Sequence, residues 1–209
     1  MKKSLKKRHF ALAVGSLALA LLAACGGGAD PVITKVTVTP ALGAVYNGDL
    51  IVLNQAGTQL ASAKTSATTG SAELSLQNYT ADTPLVFKLT LNEGARYFNE
   101  KTGLEESVTA ANPVSLLTVV PTIVSGQSVG VTALTNVAAK LAGFTASSVV
   151  SGSPFTVTSS AIYSAIAQTN LAFGLPSSTN LLAAPVPATS AQPTPADTMG
   201  LVLACSVSR

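Results

Sequence analysis

The sequence predicts a mainly β protein, a β-sandwich over residues 32–131 followed by a short helical region. Three observations carry this. Apolar residues alternate with polar ones at a period of two in several segments, which puts one face of each in a core. Turn signals recur between those segments, at Asn47-Gly48, Ala56-Gly57, Gly70, Asn92-Glu93-Gly94 and Lys101-Thr102-Gly103. Short strands at such spacing suit a sandwich of about 100 residues. From about Thr132 the period changes to that of a helix.

The chain opens with a leader. Of the twelve basic residues, five (Lys2, Lys3, Lys6, Lys7 and Arg8) lie in the first eight positions, and an apolar run from Phe10 to Leu22 follows. That run is shorter than the roughly 20 residues a membrane-spanning helix needs. A charged stretch followed by a short apolar one reads as a secretory signal over residues 1–24. Its end, Leu22-Ala23-Ala24-Cys25 before Gly26-Gly27-Gly28, resembles the bacterial lipoprotein lipobox. The resemblance implies cleavage between Ala24 and Cys25, lipidation of the Cys25 thiol, and a Gly-rich linker over 25–31. Gly26 rather than Asp after the cysteine is similar to outer-membrane lipoproteins of Gram-negative bacteria, which implies a protein facing the periplasm or the cell surface.

The sandwich strands come next. Val32, Thr34, Val36 and Val38 alternate with Ile33, Lys35, Thr37 and Thr39. Ala72, Leu74 and Leu76 alternate with Glu73, Ser75 and Gln77. Leu85, Phe87, Leu89 and Leu91 alternate with Val86, Lys88 and Thr90. Thr, Val and Tyr suit a half-buried pleated surface. The region 132–209 is expected to be helical. Leu134, Val137, Ala138 and Leu141 share one face of a first helix, closed by Gly143 as its left-handed terminal residue. Ser159 or Ser160 opens a second, whose face holds Ile162, Ala165, Ile166, Thr169 and Phe173 and which ends at Gly174 and Pro176. Ala183 to Ala191 reads as a loop. A third helix opens at Thr194, with Pro195 in its first position and Asp197 near its start. Three short helices with weak polar faces need partners. Either they cover the sandwich, or the chain is a shortened relative of a longer protein.

Charge and composition exclude several chemistries. After removal of residues 1–24, seven basic and nine acidic side chains remain, a balance of 7 − 9 = −2. A nucleic-acid partner needs a basic stripe, and the sequence has none. The single histidine, His9, lies in the leader. The processed chain therefore lacks a His base, a His-dependent triad and His metal ligands. Cys205 is left alone once Cys25 carries lipid, so no intramolecular disulfide and no Cys/His zinc site is expected. A charged fraction of 10%, against a typical ~25%, argues against a densely polar active site. The chain reads as a non-enzymatic protein with no cofactor.

Family resemblance adds to this. Asn54-Gln55-Ala56-Gly57-Thr58 with Ser66-Ala67-Thr68-Thr69-Gly70-Ser71-Ala72-Glu73-Leu74 is similar to the hairpin signature of carboxypeptidase-regulatory-like and bacterial Ig-like domains. Tyr97-Phe98-Asn99-Glu100-Lys101-Thr102-Gly103, Val129-Gly130-Val131-Thr132-Ala133-Leu134-Thr135-Asn136 and Met199-Gly200-Leu201-Val202-Leu203-Ala204 resemble segments of proteobacterial surface lipoproteins. The resemblance implies an Ig-like (transthyretin- or carboxypeptidase-regulatory-like) antiparallel sandwich, and no particular activity. Asn54 and Asn99 stand where that pattern has Asp, which weakens a metal site. Ala133 stands where it has Pro.

Four candidate features remain. Gly126-Gln127-Ser128-Val129-Gly130 matches the G-x-S-x-G nucleophile pattern, but its Ser128 needs a base; Lys140 is the one conceivable partner, and a turn is the expected role. Glu93, Glu100, Glu105 and Glu106, near Asn92 and Asn99, form an acidic cluster with oxygen chemistry suited to calcium. A solvated hairpin whose charges protect a sheet edge is the plainer reading. Tyr97 and Phe98, if exposed together, make a stacking patch for a glycan or protein, although strand geometry puts one of them in the core. Asn78-Tyr79-Thr80 matches the N-glycosylation pattern, which has little meaning in a bacterial lipoprotein. The expected function is a lipid-anchored structural or interaction module of the cell envelope, with a protein or glycan partner open. The alternative is a ligand-binding lipoprotein that takes a glycan or calcium through the 92–106 loops at Tyr97, Phe98, Glu100 and Glu105.

Overall fold

A computed structural model describes residues 32–191. The leader, Ala24, Cys25, the expected third helix and Cys205 lie outside the described residues. Within them the chain forms ten strands and two helices. One sheet holds β1 (Ile33–Ala41), β5 (Ala72–Gln77) and β10 (Gln127–Thr132), in the order β10-β1-β5. A second holds β3 (Asp49–Asn54), β4 (Gln59–Lys64), β6 (Leu85–Leu91) and β9 (Val114–Val120), in the order β4-β3-β6-β9. A small sheet of β2 (Val45–Tyr46), β7 (Arg96–Asn99) and β8 (Leu104–Ser107) closes one end. The helices are α1 (Ala133–Leu141) and α2 (Ser159–Ala172). Every turn signal named above falls between two strands. None of the described helices is long and apolar enough to cross a membrane.

The fold is a β-sandwich followed by helices. Its core joins Val36 and Val38 of β1, Leu74 and Leu76 of β5, and Val129 and Val131 of β10 to Leu50, Phe87, Leu89 and Leu116 of the facing sheet. One pair departs from the antiparallel expectation: β10 runs parallel to β1, with Val36 opposite Gln127 and Ala41 opposite Thr132. The chain reaches β10 only after completing the four-stranded sheet, and such a long crossover is what permits parallel pairing.

The period-two patterns hold with two corrections. On β1 the inward face is buried from Val36 onward, while Val32 remains 70% exposed because it precedes the strand. On β6 both faces are buried: Phe87, Leu89 and Leu91 face the inner core, and Val86 faces outward yet is fully enclosed. The helical region is the reason. Val86, Leu53, Leu117 and Val119 form a second core with Ala139 of α1, Ile162 of α2, and Phe144 and Val149 of the connection between them. Phe144 and Phe155 meet edge to face at 5.2 Å there. The two described helices therefore cover the outer face of the four-stranded sheet. Lys88 shares this outer face, and its ammonium donates to the carbonyls of Ala146 at 2.7 Å and Val149 at 2.9 Å. A charged head group thus holds the loop between the helices onto the sheet.

The helix ends follow their residues. Thr132 caps α1, accepting from the Thr135 N–H while the Thr135 side chain accepts from the Thr132 N–H. This reciprocal box satisfies two donors that helix geometry leaves free. The expected apolar stripe of α1 is rotated: Leu134, Thr135, Ala138 and Ala139 are buried, and Leu141 is 52% exposed. Thr135 is drawn inward by hydrogen bonds to β9 (below), which turns the helix by a fraction of a turn. Thr158, rather than Ser159 or Ser160, caps α2 through the Ala161 N–H. Gly143 has φ +94°, and the N–H groups of Gly143 and Phe144 donate to Lys140 and Ala139. That is the left-handed termination in which glycine avoids a Cβ clash.

Residues 183–191 contain no regular element, as expected, but they are fastened. Gly130 N–H donates to the Leu182 carbonyl at 2.9 Å and Ala44 N–H to the Ala188 carbonyl at 2.8 Å. A side chain at Gly130 would place its Cβ 2.6 Å from the Ala183 carbonyl oxygen, so the glycine is what lets this strap lie on β10.

Two substitutions test this account by urea unfolding. Gly130→Ala is expected to destabilise by about 1–3 kcal/mol, the usual cost of overfilling a packed site. Thr135→Val, nearly equal in shape, is expected to cost about 1–3 kcal/mol because it strips partners from buried polar groups. A neutral result for Thr135→Val would remove the role assigned to its hydroxyl.

Candidate functional site

The 92–106 region forms the β7–β8 hairpin of the small sheet. Alternation along β7 separates its two aromatic residues. Phe98 points inward and is fully buried, with its N–H donating to the Ala44 carbonyl at 2.9 Å. The expected pair of surface aromatics thus reduces to Tyr97, which is half-buried. Its hydroxyl donates to Glu106 Oε2 at 2.9 Å. Glu106 also accepts from Asn99 Nδ2 at 2.7 Å and Thr102 Oγ1 at 3.2 Å. Asn99 Oδ1 in turn accepts the Lys101 N–H at 2.9 Å. Asn99 is therefore a turn-former that braces a carboxylate across the hairpin.

The other carboxylates are also engaged. Glu105 pairs with the Arg96 guanidinium, which lies 5.3 Å from the centre of the Tyr46 ring. Such stacking adds to the pair only modestly at a part-exposed site. Asp49 binds Lys64 at 2.5 Å and Asn92 Nδ2 at 3.1 Å. Glu93 is exposed on the turn. Glu100 is half-buried against the strap. The Ala188 N–H supports its carboxylate, while its Oε2 is buried without a hydrogen-bond partner.

The titration directions follow from these contacts. The Tyr97, Asn99 and Thr102 donors hold Glu106 below its ordinary value, because hydrogen bonds to the charged form favour it. Burial pushes Glu100 up, against a smaller opposing effect of the Ala188 N–H. Tyr46 is raised by burial and by Glu105, against Arg96. Tyr97 is raised by burial and by its bond to Glu106.

Glu105, Glu106 and Asp49 are thus engaged by donors within their own sheet or hairpin. Calcium takes six to eight oxygens around one point. Among the described residues, no group of three or more His, Cys, Asp or Glu side chains is placed to hold a metal. The acidic residues that the sequence brings close are distributed between an ion pair, a carboxylate brace and a strap contact.

The remaining candidates are placed as follows. Ser128 lies within β10, exposed, and not in a turn. The helix after it begins only at Ala133, so the strand-to-helix elbow that exposes a nucleophile is not formed there. Lys140 is exposed in the last turn of α1. At the opposite end of the sandwich is a feature not anticipated from the sequence, a shallow cleft of about 140 Å³ between the 54–56 turn and the 78–83 loop. Its polar lining is used in the fold. Asn54 Oδ1 accepts the Thr58 N–H at 2.9 Å, Gln55 Nε2 donates to the Val157 carbonyl at 3.0 Å, and the Tyr79 hydroxyl accepts the Ile123 N–H at 3.0 Å. Asn78, in the glycosylation-like triplet, has φ +55° and serves the same loop. Only the clustering of turn residues hinted at this feature.

Comparison with known protein families, curated proteins and solved structures gave no match.

The two glutamates should give opposite pH signatures. A lowered folded-state pKa contributes stability above the unfolded value that is lost as pH falls through the folded one. Glu106→Gln is thus expected to lower the melting temperature at pH 7, with the deficit shrinking in acid. A raised pKa acts the other way: its contribution is present in acid and lost as pH rises through the folded value. The melting temperature of Glu100→Gln relative to the parent should therefore improve as pH rises from 3 to 7. Parallel pH profiles for the two variants would contradict these environments.

Proposed function

We propose that the chain is a lipid-anchored protein of the bacterial cell envelope that acts as a non-enzymatic structural or interaction module. One observation carries this reading: the run Leu22-Ala23-Ala24-Cys25 at the end of a basic, then apolar, leader of signal-peptide length. The outer membrane is the favoured location because Gly26 follows the cysteine. The Ig-like affiliation rests on the hairpin motif around Gly57 and Gly70, which supplies the β3–β4 and β4–β5 turns.

Two features of the fold agree with a module rather than a catalyst. The only histidine precedes Cys25, and Asp49, Glu105 and Glu106 are matched to donors of their own sheet or hairpin. Stable spacer or docking domains need a rigid core and protected edges rather than a reactive cleft. Glycan recognition at Tyr97 is the lesser reading, since that hydroxyl is committed to Glu106.

The test is acylation of Cys25 in a Gram-negative host. Labelled palmitate should enter the parent protein, which should sediment with outer membranes. Cys25→Ser should lose the label and appear in the soluble fraction. A Cys25→Ser protein that stays in the membrane fraction, with an unlabelled parent, would overturn the assignment.

A further inference from the structure

The sandwich has two unlike ends. Asp49, Lys64, Glu93, Arg96, Glu105 and Glu106 gather at the end that carries the small sheet. The opposite end is built from the loops 54–58, 78–84, 121–126 and 150–157. Asp82 is the only charged residue in them. The loops hold together through the backbone: Gly152 N–H donates to Gly57 O at 2.8 Å and Phe155 N–H to Gln55 O at 2.9 Å.

This neutral end is also where β1 begins. Val32 is 70% exposed, Ile33 48% and Val124 65%. Gly126 N–H donates to the Lys35 carbonyl at 2.8 Å. The chain turns at 124–127, where the Gln127 N–H donates to the Val124 carbonyl at 3.1 Å, and the 78–84 loop ties this turn to the start of β1: the Asn78 N–H donates to the Val32 carbonyl at 3.3 Å and the Ile123 N–H to the Tyr79 hydroxyl at 3.0 Å. Three exposed aliphatic side chains therefore share one tip. The charges beside it, Lys35 and Asp82, are of opposite sign and both exposed. Isolated exposed aliphatics are ordinary; a cluster of them on an otherwise uncharged end is a contact surface.

Chain length selects the occupant. Six residues separate Cys25 from Val32, and the seven residue steps between them span at most about 25 Å when fully extended. β1 alone, with nine residues, is about 27 Å long at ~3.3 Å per residue. A lipid at Cys25 would keep the neutral tip within reach of the bilayer. The charged end lies about the length of β1 away from that tip. We infer that Val32, Ile33 and Val124 form a membrane-seated foot, pressed into the interfacial region of a zwitterionic leaflet, so that the small sheet points away from the membrane. This rests on the lipoprotein reading above. Interfacial binding scales with buried apolar area, to which cationic groups add attraction for anionic lipids; this tip offers the apolar side chains and no cationic cluster, which fits a zwitterionic leaflet.

The experiment uses the acylated full-length product, with Cys205→Ser to remove the second thiol, reconstituted in phosphatidylcholine vesicles containing spin-labelled phosphatidylcholine. An environment-sensitive fluorophore is attached at Val124→Cys, at Ile33→Cys or at Glu93→Cys in separate preparations. Blue-shifted and strongly quenched emission is expected at 124 and 33, with neither change at 93. Unquenched emission at both 124 and 33, or equal quenching at 93, overturns the foot. The intact mass of each preparation reads the acyl chains on Cys25. Acylated protein with an unquenched tip overturns the foot and leaves the anchor standing, whereas an unmodified Cys25 overturns both.

Discussion

The seam where β9, β10 and α1 meet is held by hydroxyl groups, and the arrangement of the other layers depends on it. β9 is the last strand of its sheet. Its outward backbone groups at Leu117 are enclosed and need partners, since an unpaired buried amide costs as much as a lost hydrogen bond. α1 supplies them: Asn136 Oδ1 accepts the Leu117 N–H at 3.1 Å, and Thr135 Oγ1 lies 3.2 Å from the Leu117 carbonyl. Thr118, on the inner face of the same strand, lies 2.6 Å from Thr135 Oγ1 and 2.8 Å from the Gly130 carbonyl of β10. Thr118, Thr132 and Thr135 are all fully or almost fully buried. A small polar network in which every member finds a partner fixes one geometry more sharply than aliphatic packing does. Here it joins the edges of two sheets and sets the first turn of the helix.

The helical cover follows from that joint. With α1 pinned across β9, its Ala139 and the following Phe144 fall on Leu117, Val119 and Val86. The connection to α2 then crosses Lys88, whose two carbonyl contacts hold it down. α2 adds Ile162 to the same cluster. Neither helix is long enough to persist alone, so each owes its stability to the sheet. The sheet in turn needs them, because a four-stranded face carrying Leu53, Val86, Leu117 and Val119 would otherwise be an exposed apolar surface. Of the two alternatives that the sequence left for these helices, covering the sandwich is the one realised by α1 and α2.

What could be read in advance was local. The alternation over 85–91 located β6 and its inner face, and the glycines at 48, 57, 70, 94 and 103 located turns. Both follow from backbone geometry within a few residues. The departures that shape the core are long-range. Val86 looked like a solvent-side residue because period-two logic treats a strand as half-buried, and only the later helices enclose its second face. Leu141 belongs to the aliphatic stripe of α1 in the sequence yet is 52% exposed, because Thr135 takes a buried position instead. Thr135 was overlooked as a core position because its burial depends on Leu117 and Thr118, roughly twenty residues earlier in the chain. Parallel pairing of β10 with β1 joins segments some ninety residues apart, which no local pattern encodes.

The 92–106 region illustrates the same limit for function. Four glutamates within fourteen residues suggest a cation site when read as a composition. Strand geometry separates two of them, because successive side chains point to opposite faces. Glu105 and Glu106 are neighbours in sequence, yet one meets Arg96 and the other Tyr97 and Asn99. Tyr97 lies directly opposite Glu106 on β7, whereas Arg96 faces Ser107 and reaches Glu105 diagonally. The hairpin thus matches Glu105 and Glu106 to donors across the ladder, as expected of cross-strand pairs that stabilise an exposed ribbon. Glu100, in the turn, escapes this pairing and meets the strap at Ala188 instead. Its carboxylate links the hairpin to the distant C-terminal part of the described chain through the Ala188 N–H, while its Oε2 is buried without a hydrogen-bond partner. A ribbon built this way resists fraying and edge-to-edge association, and it leaves the half-buried Tyr97 ring as the aromatic surface of its exposed strands.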